Sequence, residues 1–153
     1  MPGSDLLEPV RQFLEDDGWH PRTLEARVLA CEFEGDNARW SVYVLVPPED
    51  HRVVIYSVTP DTTPAEARSA VLDYLNLCNF RLLVGNFELD PSDGETRFRT
   101  TIDAEGSEFG DGSMLRQALY ANVLAMDQYL SGLGAVIDGS MTPAEAHEAA
   151  LAE

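Results

Sequence analysis

The sequence predicts an α+β fold: an antiparallel sheet of about five strands, helices in the order α-βββ-α-ββ-α, and a further helix in the C-terminal tail. Three observations carry that expectation. Segments at about 24–34, 38–47 and 52–59 read as strands joined by turns with no room for a crossover helix, so they form a meander. Between Asp73 and Asp90 the apolar spacing changes from helical (Val71, Tyr74, Leu75, Cys78) to alternating (Leu83, Gly85, Phe87, Leu89) with almost no loop. A long apolar stripe then runs from about Ser113 to Ile137. Helices kept apart from antiparallel strands in this way pack on a single sheet.

The first helix carries Leu6, Leu7, Val10, Phe13 and Leu14 on one face, begins between Asp5 and Pro9, and stops at Gly18; Trp19 folds back as an anchor. Glu34-Gly35-Asp36-Asn37 and Pro47-Pro48-Glu49-Asp50 are the two turns of the meander. Trp40, Val42, Val44 and Val46 form one face of the middle strand. Tyr43 and Leu45 make the other face apolar too, and Val53 and Ile55 oppose Val54 and Tyr56 in the same manner. A half-solvated sheet alternates more cleanly, so something is expected to cover part of the second face. Thr63-Pro64-Ala65-Glu66 reads as a capping box opening a helix over about 64–79. A strand over about 81–89 then turns through Asp90 to Gly94 into its partner at about 95–102. Asp138-Gly139 ends the long helix, and Thr142 to Ala146 repeats the pentapeptide at Thr63 to Ala67, again as a helix start. The alanine-rich tail helix has little to bury and is expected to be frayed or packed on another chain. Residues 5–138 are thus expected to be one domain, with 139–153 as its tail.

Among 153 residues, 27 are acidic and 10 basic, all of the latter arginine, for a net charge of −17. Such a charge repels phosphate backbones and anionic lipid, which argues against nucleic acid and membrane partners. The N-terminus carries neither a basic region nor an apolar run, and no stretch has the length of a membrane span, so a cytoplasmic location is expected. Cys31 and Cys78 both fall on apolar faces and read as reduced core residues.

No constellation has the geometry of a reaction centre, and no cofactor or metal is expected. The three histidines are scattered, and His51 sits in a solvated acidic turn. Asp90 to Glu95 misses the calcium-loop pattern, with Gly one place early and Thr101 where the bidentate Glu belongs. Asn76 and Asn79 read as residues that lock the helix-to-strand corner by bonding the last helical carbonyls. Gly85 implies close approach of another element, such as a helix or Trp19. Arg97 and Arg99 project from one face of their strand, beside a candidate partner surface.

Leu75-Asn76-x-x-Asn79, then Gly85-x-Phe87-x-Leu89-Asp90, Gly94 and Phe98-Arg99, together with Phe13-Leu14, Gly18-Trp19 and the long late helix, resemble the bacterial YbjN-domain family over about residues 5–138. The resemblance implies a fold like that of type III secretion chaperones, which commonly dimerise, and a role in regulation or protein binding without catalytic residues. The leading expectation is a non-enzymatic, chaperone-like or regulatory module that binds a protein partner or client and acts as a homodimer. Its contact residues would come from Tyr43, Leu45, Val53, Ile55, Arg97 and Arg99. The alternative is a small-ligand sensor with a pocket between the second helix and the sheet, lined by Tyr74, Asn79 and Phe87. An enzyme using surface carboxylates is the third reading, and it lacks the desolvated pair that acid–base chemistry needs.

Overall fold

The computed structural model describes residues 5–48, 51–104 and 110–152. Its elements are α1 (Leu7–Asp16), β1 (Arg22–Glu25), β2 (Val28–Glu34), β3 (Arg39–Leu45), β4 (Arg52–Val58), α2 (Arg68–Arg81), β5 (Asn86–Leu89), β6 (Thr96–Asp103), α3 (Ser113–Ile137) and α4 (Pro143–Leu151). The strands form one antiparallel sheet in the order β1-β2-β3-β4-β6-β5. Six strands stand where about five were expected, because the first expected strand is a hairpin. The chain turns at Ala26-Arg27, so β1 returns along β2 with a bulge between Thr23 and Glu25.

Period-two alternation sends Leu29 and Cys31, then Trp40, Val42 and Val44, then Val53 and Ile55, then Phe98, Thr100 and Ile102 to a single buried face. The helices cover that face. The α3 helix lies across β4 and β6, α2 lies over β5, and α4 fits against both α2 and α3. Trp19, just past α1, stacks on Phe33 of β2 with ring centroids 5.5 Å apart and meets Tyr120 of α3 edge-on. Beside it the Asp17 carboxylate takes hydrogen bonds from the Trp19 indole (3.0 Å) and the Tyr120 hydroxyl (2.9 Å) and pairs with Arg116 (2.8 Å).

A polar chain runs through the middle of this core. The Trp40 indole donates to Ser57 Oγ (3.0 Å), which donates to Asn122 Oδ1 (2.5 Å); Asn122 Nδ2 reaches the Ile55 and Phe98 carbonyls and Thr100 Oγ1, and Thr100 donates to the Ala118 carbonyl. Every member is satisfied, so the chain pins α3 at one register on the sheet instead of costing desolvation energy. At the far end of the same helix face, the Asp127 carboxylate accepts the Asp36 and Asn37 amides and clamps the β2–β3 turn.

Three local expectations are corrected. The capping box at Thr63 does not form: Pro64 is extended, a 3-10 turn (Ala65–Ala67) leads into α2, and the Thr63 hydroxyl is buried without a partner. Backbone commitments decide this, since the Thr63 amide bonds the Gly94 carbonyl (2.8 Å) and its own carbonyl accepts Arg68 (3.2 Å). The second copy does cap, with Thr142 Oγ1 accepting the Glu145 amide. The strand expected over 81–89 begins only at Asn86, because α2 runs through Arg81 and residues 82–85 form a turn. The tail helix is packed within its own chain: Ala146 and Ala150 are buried and His147 stacks on Tyr129. The expected turn residues Glu49 and Asp50, and much of the loop before α3, lie outside the described residues.

Candidate protein-binding surfaces

The outer face of the sheet is built by the same alternation that fills the core. Cross-strand registers set Ala30, Tyr43, Tyr56, Arg99 and Asn86 in one row, and Val28, Leu45, Val54 and Thr101 in the next. A third row runs through Glu32, Ser41, Val58, Arg97 and Glu88. Tyr43, Leu45, Val54, Tyr56 and Val58 are each half-buried, shielded by their neighbours in the rows. Among the described residues no helix packs over them, so no described element supplies the cover expected for this face.

Charges frame the apolar centre. Glu88 accepts from both Arg97 (2.9 Å) and Arg99 (2.8 Å), and the Arg97 guanidinium sits 4.4 Å from the centre of the Tyr56 ring. Arg39 approaches Glu32, and Arg52 lies opposite Asp103 in the ladder. On a chain of net charge −17, this face is balanced: Arg22, Arg39, Arg52, Arg97 and Arg99 against Glu25, Glu32, Glu34, Glu88 and Asp103.

Of the residues singled out in the sequence, Tyr43, Leu45, Arg97 and Arg99 come together here. Val53 and Ile55 do not; both are fully buried on the covered face, one residue out of phase with Val54 and Tyr56. Tyr74, Asn79 and Phe87 do meet, but as packing. The Tyr74 hydroxyl donates to the Tyr129 carbonyl (2.7 Å), and its ring lies so close to Gly132 that a side chain there would collide with it. Phe87 meets Phe98 and Tyr129 edge-on, so rings fill the space where a ligand pocket was expected. An open groove of about 250 Å³ lies elsewhere, between Ala38, Pro60 and the Leu130, Leu133 and Ile137 side chains of α3.

Asn79 locks the corner, by a route the sequence reading missed. Its Oδ1 accepts the Phe87 amide (2.7 Å) and its Nδ2 donates to the Phe87 carbonyl (3.1 Å), so it pairs with β5 as a neighbouring strand would. Asn76 stays exposed on the outer side of α2. The element that approaches Gly85 is β6, not a helix or Trp19. At φ +76°, a Cβ on Gly85 would sit 2.7 Å from both the Arg99 carbonyl and the Phe98 ring. Cys31 and Cys78 are free, and burial pushes their thiols up to about 11 and about 12, the state of inert core cysteines.

A second surface escaped the sequence reading. While Val71, Tyr74, Leu75 and Cys78 are buried, the opposite side of α2 and the turn after it show Leu72 (53% exposed), Phe80 (90%), Leu83 (99%) and Val84 (55%) to solvent. The signal was present, since Leu72 and Phe80 fall on the side of α2 opposite its buried stripe, among polar residues. Assigning Leu83 to a strand hid it. Among the described residues no group of His, Cys, Asp and Glu could hold a metal ion, and no helix is long and apolar enough to cross a membrane.

Helices on one face of a six-stranded antiparallel sheet, with an open balanced surface on the other, define an α+β domain whose candidate sites are surfaces and not a cleft. The chain belongs to the YbjN family, described as "Putative bacterial sensory transduction regulator", which matches residues 6–132. Among solved structures it is similar to E. coli YbjN, with a TM-score of 0.63 at 13% identity over 82% of this chain and 91% of that one, a likeness of fold. An uncharacterized protein from Methanothermobacter thermautotrophicus also matches (TM-score 0.48, 14% identity, 78% of this chain and 92% of that one). So does the ExsC-ExsE complex (TM-score 0.48, 13% identity, 81% and 95%). No curated protein matches closely enough to count as a relative.

Proposed function

We propose that this protein is a non-enzymatic binding module, chaperone-like or regulatory, that holds a polypeptide partner on the outer face of its sheet and works as a homodimer. One observation carries the reading. A strip of Tyr43, Leu45, Val54, Tyr56 and Val58 lies uncovered by any described helix, and it is bordered by Arg97 and Arg99 on an otherwise acidic molecule. Aromatic and arginine side chains are those most enriched at binding hot spots, and open apolar patches on soluble domains mark interaction sites. Arg97 held over Tyr56 is already ordered before a partner arrives, which lowers the entropy cost of docking.

The test compares wild type with a Tyr43→Glu/Val54→Glu variant as immobilised baits, followed by titration calorimetry with each purified protein that only wild type retains. The reading expects micromolar or tighter binding to wild type and none to the variant. Equal retention by both baits, or no measurable affinity for any purified candidate, would sink it.

A further inference from the structure

We propose that the open groove between the start of β3, the loop after β4 and the second half of α3 is a binding site for a small hydrophobic ammonium ion, a protonated amine on an apolar body about one ring in size. The inference goes beyond the partner reading above and stands without it, since the groove shares no residue with the strip from Tyr43 to Val58 on the outer face. Its lining is largely apolar: Leu130, Leu133 and Ile137 of α3 with Ala38 and Pro60, around a volume of about 250 Å³. That is room for a molecule of about ten non-hydrogen atoms. The walls are fixed before a ligand arrives. Asn37 is tied to Asp127 through its backbone amide (3.2 Å) and through Nδ2, which donates to the Asp127 carbonyl (3.2 Å). The Thr59 amide bonds the Thr96 carbonyl at 3.0 Å, and the Thr59 hydroxyl donates to the Asp61 and Thr96 carbonyls. Walls already ordered spare a ligand the entropy of ordering them.

Gly134 keeps the groove open. A Cβ on it would meet nothing within 4 Å, whereas Gly132, two residues earlier, is required by the Tyr74 ring. Glycine at an exposed helical position weakens the helix, and here it relieves no contact. What it does is leave space in the groove that any larger side chain would occupy. The polar groups of the lining then select the ligand, because they accept and do not donate. Asn37 has committed Nδ2 to Asp127, which leaves Oδ1 to accept; the Thr59 hydroxyl has given its proton to carbonyls; and Asp61 brings a carboxylate. Among the described residues no arginine or histidine lines the groove, and Arg39, next to Ala38 in sequence, belongs to the outer face beside Glu32 (3.8 Å). The field of a chain with 27 acidic and 10 basic residues acts in the same direction. An anion is repelled here, and a neutral apolar body leaves the acceptors unused. A protonated amine on an apolar body fits both the floor and the rim.

The measurement is a titration of the isotope-labelled full chain, followed by amide NMR shifts, with three probes of one shape: phenethylammonium, phenylethanol and phenylpropionate. Saturable shifts are expected with phenethylammonium at residues 37–38, 59–61 and 130–137. Its dissociation constant should be about fivefold lower than that of phenylethanol and at least about tenfold lower than that of phenylpropionate. Asp61→Asn, a change at an exposed position, should bring phenethylammonium to within about twofold of phenylethanol. Gly134→Leu should abolish the shifts while melting no lower than wild type, because leucine enters open space and is the better helix former. The sheet-face variant Tyr43→Glu/Val54→Glu should bind phenethylammonium as wild type does, so this site and the partner surface read out separately. The proposal is overturned by any of four results: no saturable shift with phenethylammonium, shifts centred elsewhere, no preference for it over the other two probes, or wild-type binding by Asp61→Asn or Gly134→Leu.

Discussion

Asn79 reaches eight residues along the chain to satisfy both backbone groups of Phe87, whose carbonyl otherwise has only a long contact from the Asn86 side-chain amide (3.5 Å). Asn79→Ala leaves the Phe87 amide at the sheet margin without a partner and its carbonyl with only the long Asn86 contact. A loss of about 1–3 kcal/mol is expected in a denaturant titration, since orphaned polar groups forfeit their desolvation energy. Gly85→Ala combines a left-handed backbone with a clash against β6, and should lower stability by at least about 1 kcal/mol in the same assay. That Asn79 and Gly85 are structural was legible from the abrupt change of period. The means were not, because a strand-like clamp depends on where a turn delivers Phe87, which spacing does not encode. Asn122 was missed for a related reason: in a stripe of leucines and alanines it reads as one polar interruption, and only the fold shows four partners converging on it. Asp17 supplies the pH dependence. Burial raises its carboxyl, but the Tyr120 hydroxyl, the Trp19 indole and Arg116 together outweigh burial and hold it below the ordinary value. A depressed carboxyl stabilises the fold above its unfolded value, near 3.9, and that contribution fades as pH falls through the lower folded value. Asp17→Asn should therefore cost stability at neutral pH and show a shallower loss than wild type on acidification below about pH 4, measured by urea midpoints across pH.

At the scale of elements, α4 carries the largest departure from the sequence reading. Alanines give it little side chain to bury, which suggested a loose tail, yet small residues are what let it settle closely between α2 and α3 and lay His147 against Tyr129. A chain ending after Gly139 should fold but lose on the order of 2 kcal/mol, seen as a lower melting temperature, because the apolar floor beneath α4 is exposed to water. The two helix starts with the same pentapeptide teach the same lesson from the other direction. Thr142 caps because nothing competes for its neighbourhood, while Thr63 is held by a backbone bond to the Gly94 carbonyl and cannot. Local chemistry predicted α3 to the residue, since its stripe and its ends agree; it mispredicted the hairpin of β1 and β2, whose turn at Ala26-Arg27 has no glycine, proline or asparagine to announce it.

Over the whole molecule, the excess of carboxylates is spread unevenly. Five arginines serve the rest of a chain whose sheet face has claimed five, so self-repulsion concentrates away from the two candidate contact surfaces. Raising ionic strength from about 0.02 to about 0.5 M should increase the melting temperature, because screening relieves repulsion that folding compresses. The exposed pair of Arg27 with Asp5, at 2.7 Å, works in the opposite sense but is worth little at the surface. A melting temperature that falls with salt would mean that specific ion pairs outweigh the net charge.

The bond between Asn79 and the Phe87 backbone has one more effect, at the boundary of the sheet. Beyond β6 the sheet ends in a four-residue strand, and the side chain of α2 occupies the outward-facing hydrogen-bonding groups at its second position. An incoming strand would have to evict Asn79 before it could extend the ladder. The opposite margin, β1, is equally short and broken by a bulge. Blunted at both ends, the sheet offers no template for indefinite growth, and a domain with so much open apolar surface is steered toward finite complexes and away from fibrils.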